Sequence, residues 1–141
     1  MNISIELTDS GSTSFVEDRL LAELQAEYEQ GKNIRFNLVA RSESGELVGG
    51  LSASTSYGWL LVKTLFVDSS SRRLGVATRL VLDVENRARE VGCHCAWLDT
   101  SNPNAKLFYE KVGYSVFANL TNTSVQVPSN HQRWFMKKSL S

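Results

Sequence analysis

Leu65-Phe66-Val67-Asp68-Ser69-Ser70-Ser71-Arg72-Arg73-Leu74-Gly75-Val76-Ala77-Thr78 joins the end of an apolar run to the start of an amphipathic one through a short polar turn. The apolar run from Trp59 to Val67 reads as a strand buried on both faces, the habit of a strand inside a sheet with parallel neighbours. Asp68 to Ser71 is polar turn material, and Gly75 stands at the mouth of a helix expected from about Val76 to Glu90. The first N–H groups of a helix lack intrahelical partners and lie at the positive end of its dipole, so such a mouth attracts anions. Gly75 lets a ligand approach the main chain, and Ala77 keeps the next contact small. Arg72 and Arg73 add two permanent cations suited to phosphate oxygens. The stretch predicts a diphosphate held mainly by backbone.

Ala77, Leu80, Val81, Val84 and Ala88 form the stripe that the helix is expected to bury, with Glu85, Arg87 and Glu90 expected to face water. Gly92 stops this helix, and Cys93 to Leu98 is again strand-like, so the unit reads as a right-handed crossover between parallel strands. Pro103 suits a helix start, and Ala105 to Val112 supplies two turns ended by Gly113. Upstream, Ile3 to Leu7 alternates like an edge strand, Thr8 to Ser12 is turn and cap material, and a helix is expected from about Ser14 to Gln30. Ile34 to Ala40 and Glu46 to Ser54 read as a hairpin around Ser42-Glu43-Ser44-Gly45. Gly49-Gly50 within it marks a bulge or close packing. Tyr114 to Leu120 and His131 to Lys137 are closing strands across a polar loop.

At 141 residues the chain has the length of one domain, and 42% apolar with 21% charged residues describes an ordinary globular protein. Fifteen basic residues balance fifteen acidic ones, which argues against nucleic acid or an anionic membrane as partner. No apolar run approaches the roughly 20 residues that span a bilayer, and the start lacks a signal peptide's basic and apolar segments, so the expected location is the cytoplasm. Cys93 and Cys95 flank His94 on a strand, which places both sulfurs on one face. A second pair of Cys or His ligands is missing, so no metal site is expected and the cysteines read as reduced and structural.

The pattern Arg-x-x-Gly-x-Ala at Arg72 to Ala77 resembles the acetyl-CoA loop of the GNAT N-acetyltransferase superfamily. Asn102-Pro103-Asn104-Ala105, followed by Tyr109-Glu110-Lys111-Val112-Gly113-Tyr114, resembles that family's second motif, in the family's order and at a similar separation. The resemblance covers Glu46 to about Phe117 well and the first forty residues weakly. It implies an α/β (α+β) fold: a mixed, largely antiparallel sheet of about seven strands, a central splayed parallel pair, and helices on both faces. It also implies acetyl-CoA as cosubstrate, with its diphosphate on Arg72, Arg73, Leu74, Gly75, Val76, Ala77 and Thr78. The pantetheine arm would lie along Leu65, Phe66 and Val67, with Asn102 and Ala105 beside it, and a freed N–H near Phe66 or Val67 would polarise the thioester.

By the same resemblance Tyr109 is the general acid that protonates the leaving thiolate. Asp99 and Asp68, each at a strand end, and His131 are the candidates for taking the amine's proton, with solvent as a fourth route; Asp99 is the expected catalytic carboxylate. The expected acceptor is a small-molecule amine. A protein N-terminus or lysine is the alternative acceptor, and a non-catalytic acyl-CoA-binding module is the rival from another class. Homodimers are common among the relatives. A P-loop, a dinucleotide fingerprint and a Gly-x-Ser-x-Gly elbow are all missing from the chain.

Overall fold

A computed structural model describes residues 1–8 and 14–141. The chain divides into two compact units, Met1–Gln30 and Gly31–Ser141. In the first, α1 runs from Ser14 to Glu27 with Glu17 in its first turn, where a carboxylate suits the helix dipole. The expected strand at Ile3 to Leu7 is irregular, and among the described residues the sheet has six strands rather than about seven. The turn expected at Thr8 to Ser12 falls, after Thr8, outside the described residues.

The second unit holds β1 (Arg35–Arg41), β2 (Leu47–Ser56), β3 (Trp59–Val67), α2 (Val76–Glu90), β4 (Cys95–Thr100), α3 (Pro103–Lys111), β5 (Ser115–Thr121) and β6 (Gln132–Ser139). The strands lie in the order β1-β2-β3-β4-β6-β5. All neighbours are antiparallel except β3 and β4, which the α2 crossover joins in parallel. Leu51, Ala53, Leu60, Val62, Ala96, Leu98 and Met136 project from the strands into one apolar cluster with Leu80, Val81, Val84 and Ala88 of α2 and Tyr109 of α3. Complete burial of a side chain such as Leu60 or Leu98 contributes about 2 kcal/mol. No helix among the described residues is long and apolar enough to cross a membrane.

Three local expectations change. β3 is not buried along its whole length: Leu60 and Val62 are buried, but Lys63, Thr64 and Phe66 are exposed. Lys63 is the extra residue of a bulge opposite the Ser52–Ala53 step, and the strand opens to solvent from there. Glu85 does not face water; it is fully buried on the α2 stripe. Lys138 Nζ donates to its Oε1 at 2.8 Å and the Tyr114 hydroxyl to its Oε2 at 2.8 Å, which offsets the cost of burying the charge. The Cys93 and Cys95 thiols are free, and burial pushes the Cys93 thiol up.

Gly49 and Gly50 answer to close packing. A Cβ on Gly49 would lie 2.8 Å from the Phe66 carbonyl oxygen, and one on Gly50 would lie 3.0 Å from that of Leu38. Both obstacles are backbone, so neither side chain nor rotamer can yield. Gly49→Ala is therefore expected to lower stability by about 1–3 kcal/mol, the range for overpacking. Urea unfolding checks this, and an unchanged midpoint would contradict it.

Candidate active site

β3 and β4 pair only from Trp59 to Leu61 against Cys95 to Trp97. Beyond that point β3 stays with β2 as far as Val67, while β4 stays with β6 as far as Thr100. The two central strands therefore part, and their facing edges leave the ladder. Asp68 N–H donates to the Val48 carbonyl on β2 at 2.7 Å. Peptide groups alternate in direction along a strand, so those of Phe66 also point to β2, and those of Leu65 and Val67 point into the gap. The expectation of a freed N–H near Phe66 or Val67 thus narrows to Val67, joined by Leu65. The Val67 carbonyl accepts from Arg72 Nε at 3.1 Å, which ties the loop to the strand end.

Ser69–Ser71 form a single 3-10 turn, with Ser71 N–H donating to the Asp68 carbonyl at 2.9 Å. Arg73 (φ 71°) and Gly75 (φ 76°) both adopt left-handed backbone. Glycine accepts this freely, whereas for arginine it costs on the order of 1 kcal/mol, a strain typical of ligand-gripping loops. Gly75 caps α2 without a side-chain hydrogen bond, and the first turn has no acidic residue. The N–H groups of Val76, Ala77 and Thr78 are consequently presented without competition. A Cβ on Gly75 would meet nothing within 4 Å, so the backbone conformation, not crowding, demands glycine here. A cavity of about 230 Å³ lies over this mouth, lined by Val67, Arg72, Arg73, Gly75, Ala77 and Thr78 among others, with Phe108 reaching in from α3. Leu74 is exposed and does not line it.

Asn102 is the N-cap of α3: its Oδ1 accepts from Asn104 N–H at 2.9 Å and from Ala105 N–H at 3.4 Å. Pro103 follows as the first helical residue. The cap leaves the Asn102 amide hydrogens for another acceptor. Tyr109 is buried between the rings of Phe108 and Tyr114, with centroids 5.2 and 5.7 Å away in edge-on contact. No hydrogen bond within the described residues engages its hydroxyl. Burial raises this phenol from its ordinary value to about 12, so it is a proton donor throughout the neutral range.

Each candidate base has a partner. Arg133 donates from Nε at 2.9 Å and from its terminal nitrogen at 2.8 Å to one carboxylate oxygen of Asp99. Asp68 accepts from the Ser70 hydroxyl. His131 Nε2 lies 3.3 Å from Ser101 Oγ, beside the end of β4. Sequence reading missed Arg133, although alternation along β6 places it on the face that Asp99 uses. It also missed Tyr114 and Lys138, whose role depends on Glu85 being inside.

A family model described as Acetyltransferase (GNAT) family matches residues 5–114. The chain belongs to this family. It is 32% identical over 115 residues to Acetyltransferase Atu2258 of Agrobacterium fabrum, covering 82% of this chain and 84% of that protein. It is also 40% identical over 82 residues to Blasticidin-S acetyltransferase of Streptomyces morookaense, covering 57% of this chain and 60% of the relative. A solved structure from Agrobacterium tumefaciens, described as a candidate acetyltransferase, superposes with a TM-score of 0.82 at 29% identity over 99% of both chains. The chain is an acetyltransferase with the GNAT sheet, including its one parallel pair.

The Tyr109 phenol gives a direct test. A difference titration of wild type against Tyr109→Phe should show no phenolate at pH 10 and its onset only as pH nears about 12. By linkage, the buried phenol favours the fold below its unfolded value of about 10, and that contribution is lost as pH rises toward about 12. A phenolate appearing at the ordinary value would contradict the buried placement.

Proposed function

We propose that this acetyltransferase moves the acetyl group of acetyl-CoA to the primary amine of a small molecule by direct attack within a ternary complex. The observation that carries the reading is the gap between β3 and β4 opening beside the uncapped mouth of α2. The diphosphate sits on the N–H groups of Val76, Ala77 and Thr78, where the helix dipole and the Arg72 and Arg73 cations favour negative charge. The pantetheine arm enters the gap and takes up the peptide groups of Leu65 and Val67 as an added strand would. Asn102 supplies its free amide hydrogens, and the small Ala105 side chain leaves room beside them.

The thioester carbonyl then lies against an N–H of β3. Such an oriented donor, in a site without reorganising water, lowers the barrier by about 3 kcal/mol. The amine nitrogen attacks the carbonyl carbon, forming the C–N bond. Collapse of the intermediate breaks the C–S bond, and the departing thiolate takes the Tyr109 hydroxyl proton. A phenol near 12 is a weak acid, but a thiolate born in the same dry pocket is raised by the same desolvation, so the transfer stays matched. The amine's proton leaves through water to the Asp99 oxygen that Arg133 does not hold. Solvent returns a proton to Tyr109 when the thiol departs.

Support for a small acceptor comes from the balanced charge, which offers no field for a polyanionic partner, and from the relative named for blasticidin S. Acetyl-CoA is expected to raise the melting temperature, and Gly75→Glu to abolish that shift by placing a carboxylate where the phosphates lie. An unchanged shift in Gly75→Glu would move the diphosphate elsewhere. Tyr109→Phe should lower kcat about a hundredfold and spare coenzyme affinity, the scale of a lost general acid. Thiol release across a panel of free amines and peptides tests the acceptor: peptides accepted far better than every free amine would overturn the small-molecule assignment.

A further inference from the structure

We infer that Glu85, Tyr114 and Lys138 form a buried clamp that sets the position of Tyr109, and so act as positioning residues for proton transfer. The inference rests on Tyr109 being the proton donor. Glu85 lies in the third turn of α2, the helix whose mouth faces the phosphates, and is fully buried. Its two carboxylate oxygens are used by two different elements: Oε2 accepts from the Tyr114 hydroxyl and Oε1 from Lys138 on β6, each at 2.8 Å. Lys138 Nζ also donates to the Val112 carbonyl at 2.8 Å, at the C-terminal cap of α3. Tyr114 N–H donates to the Tyr109 carbonyl at 2.9 Å, and the two rings meet edge-on at 5.7 Å. The last turn of α3 is thereby pinned to α2 from both sides of the Gly113 turn.

Stability alone does not explain this arrangement. A buried ion pair is commonly no more stabilising than apolar side chains of the same volume, and Glu85 occupies a stripe otherwise filled by Val81, Val84 and Ala88. The charged network adds direction: hydrogen bonds fix the distance between α2 and α3, whereas apolar packing permits sliding. The Tyr109 hydroxyl makes no hydrogen bond of its own among the described residues, so its position depends wholly on its ring contacts and on its helix. A phosphate grip on α2 and a proton donor on α3 stay in register only if the helices do.

Tyr114→Phe keeps the ring against Tyr109 and removes the hydroxyl bond to Glu85. It is expected to lower kcat about tenfold through misplacement of the donor, with the KM for acetyl-CoA unchanged. In a Tyr109→Phe background the same substitution should lower kcat no further. The combined change Glu85→Leu, Lys138→Met and Tyr114→Phe replaces the whole network by apolar groups without stranding the Tyr114 hydroxyl, and should keep its melting temperature while showing the same loss and the same non-additivity. Full activity in Tyr109→Phe would remove the proton-donor reading and the clamp with it. A deep loss in Tyr109→Phe, together with unchanged kcat in Tyr114→Phe or equal Tyr114→Phe effects in both backgrounds, would overturn the clamp alone.

Discussion

Peptide groups that leave a ladder must be satisfied by something else, and the parting of β3 from β4 after Leu61 and Trp97 imposes that requirement at the centre of the sheet. An unpaired buried backbone group costs about 1–3 kcal/mol, so a strand does not part from its neighbour without support. Here the support comes from the outer sides. β2 holds β3 through Val67, with the two glycines allowing backbone to lie against backbone, and β6 holds β4 through Thr100. The bulge at Lys63 turns the outer half of β3 so that Leu65 and Val67 present their groups to the gap. In the proposed complex the pantetheine arm answers those groups.

The same geometry brings the other requirements of acyl transfer to one place. The loop after β3 bends through left-handed Arg73 and Gly75, starts α2 without a cap, and is anchored by Arg72 on the Val67 carbonyl. The loop after β4 starts α3 with Asn102 as its cap and carries Tyr109 on a buried face. Two helix starts therefore sit at the ends of the two strands that separate. In the proposed complex, polar backbone meets the charged part of the ligand and the buried phenol meets its acyl end.

Much of this is legible in the chain because local rules and tertiary context agree. β3 and α2 fall where the apolar run and the 3.6-residue stripe place them, from Trp59 to Val67 and from Val76 to Glu90. The start of α2 is legible since Gly75, which adopts left-handed backbone, stands directly before the apolar stripe. What the chain hides is pairing at a distance. Ile3 to Leu7 satisfies a strand pattern, yet its backbone is irregular. Glu85 reads as a solvent-facing carboxylate until Lys138, fifty-three residues away, is seen to meet it. Asp99 reads as a free base until β6 delivers Arg133. For both carboxylates the deciding group comes from an element whose register the sequence does not specify.

Amide hydrogen exchange with and without acetyl-CoA tests the account at its root. The ligand should slow exchange at Leu65, Val67, Val76, Ala77 and Thr78 together, while Phe66, turned toward β2, changes little. Unaltered exchange at Leu65 and Val67 under saturating ligand would show that the parted strands do not receive the coenzyme.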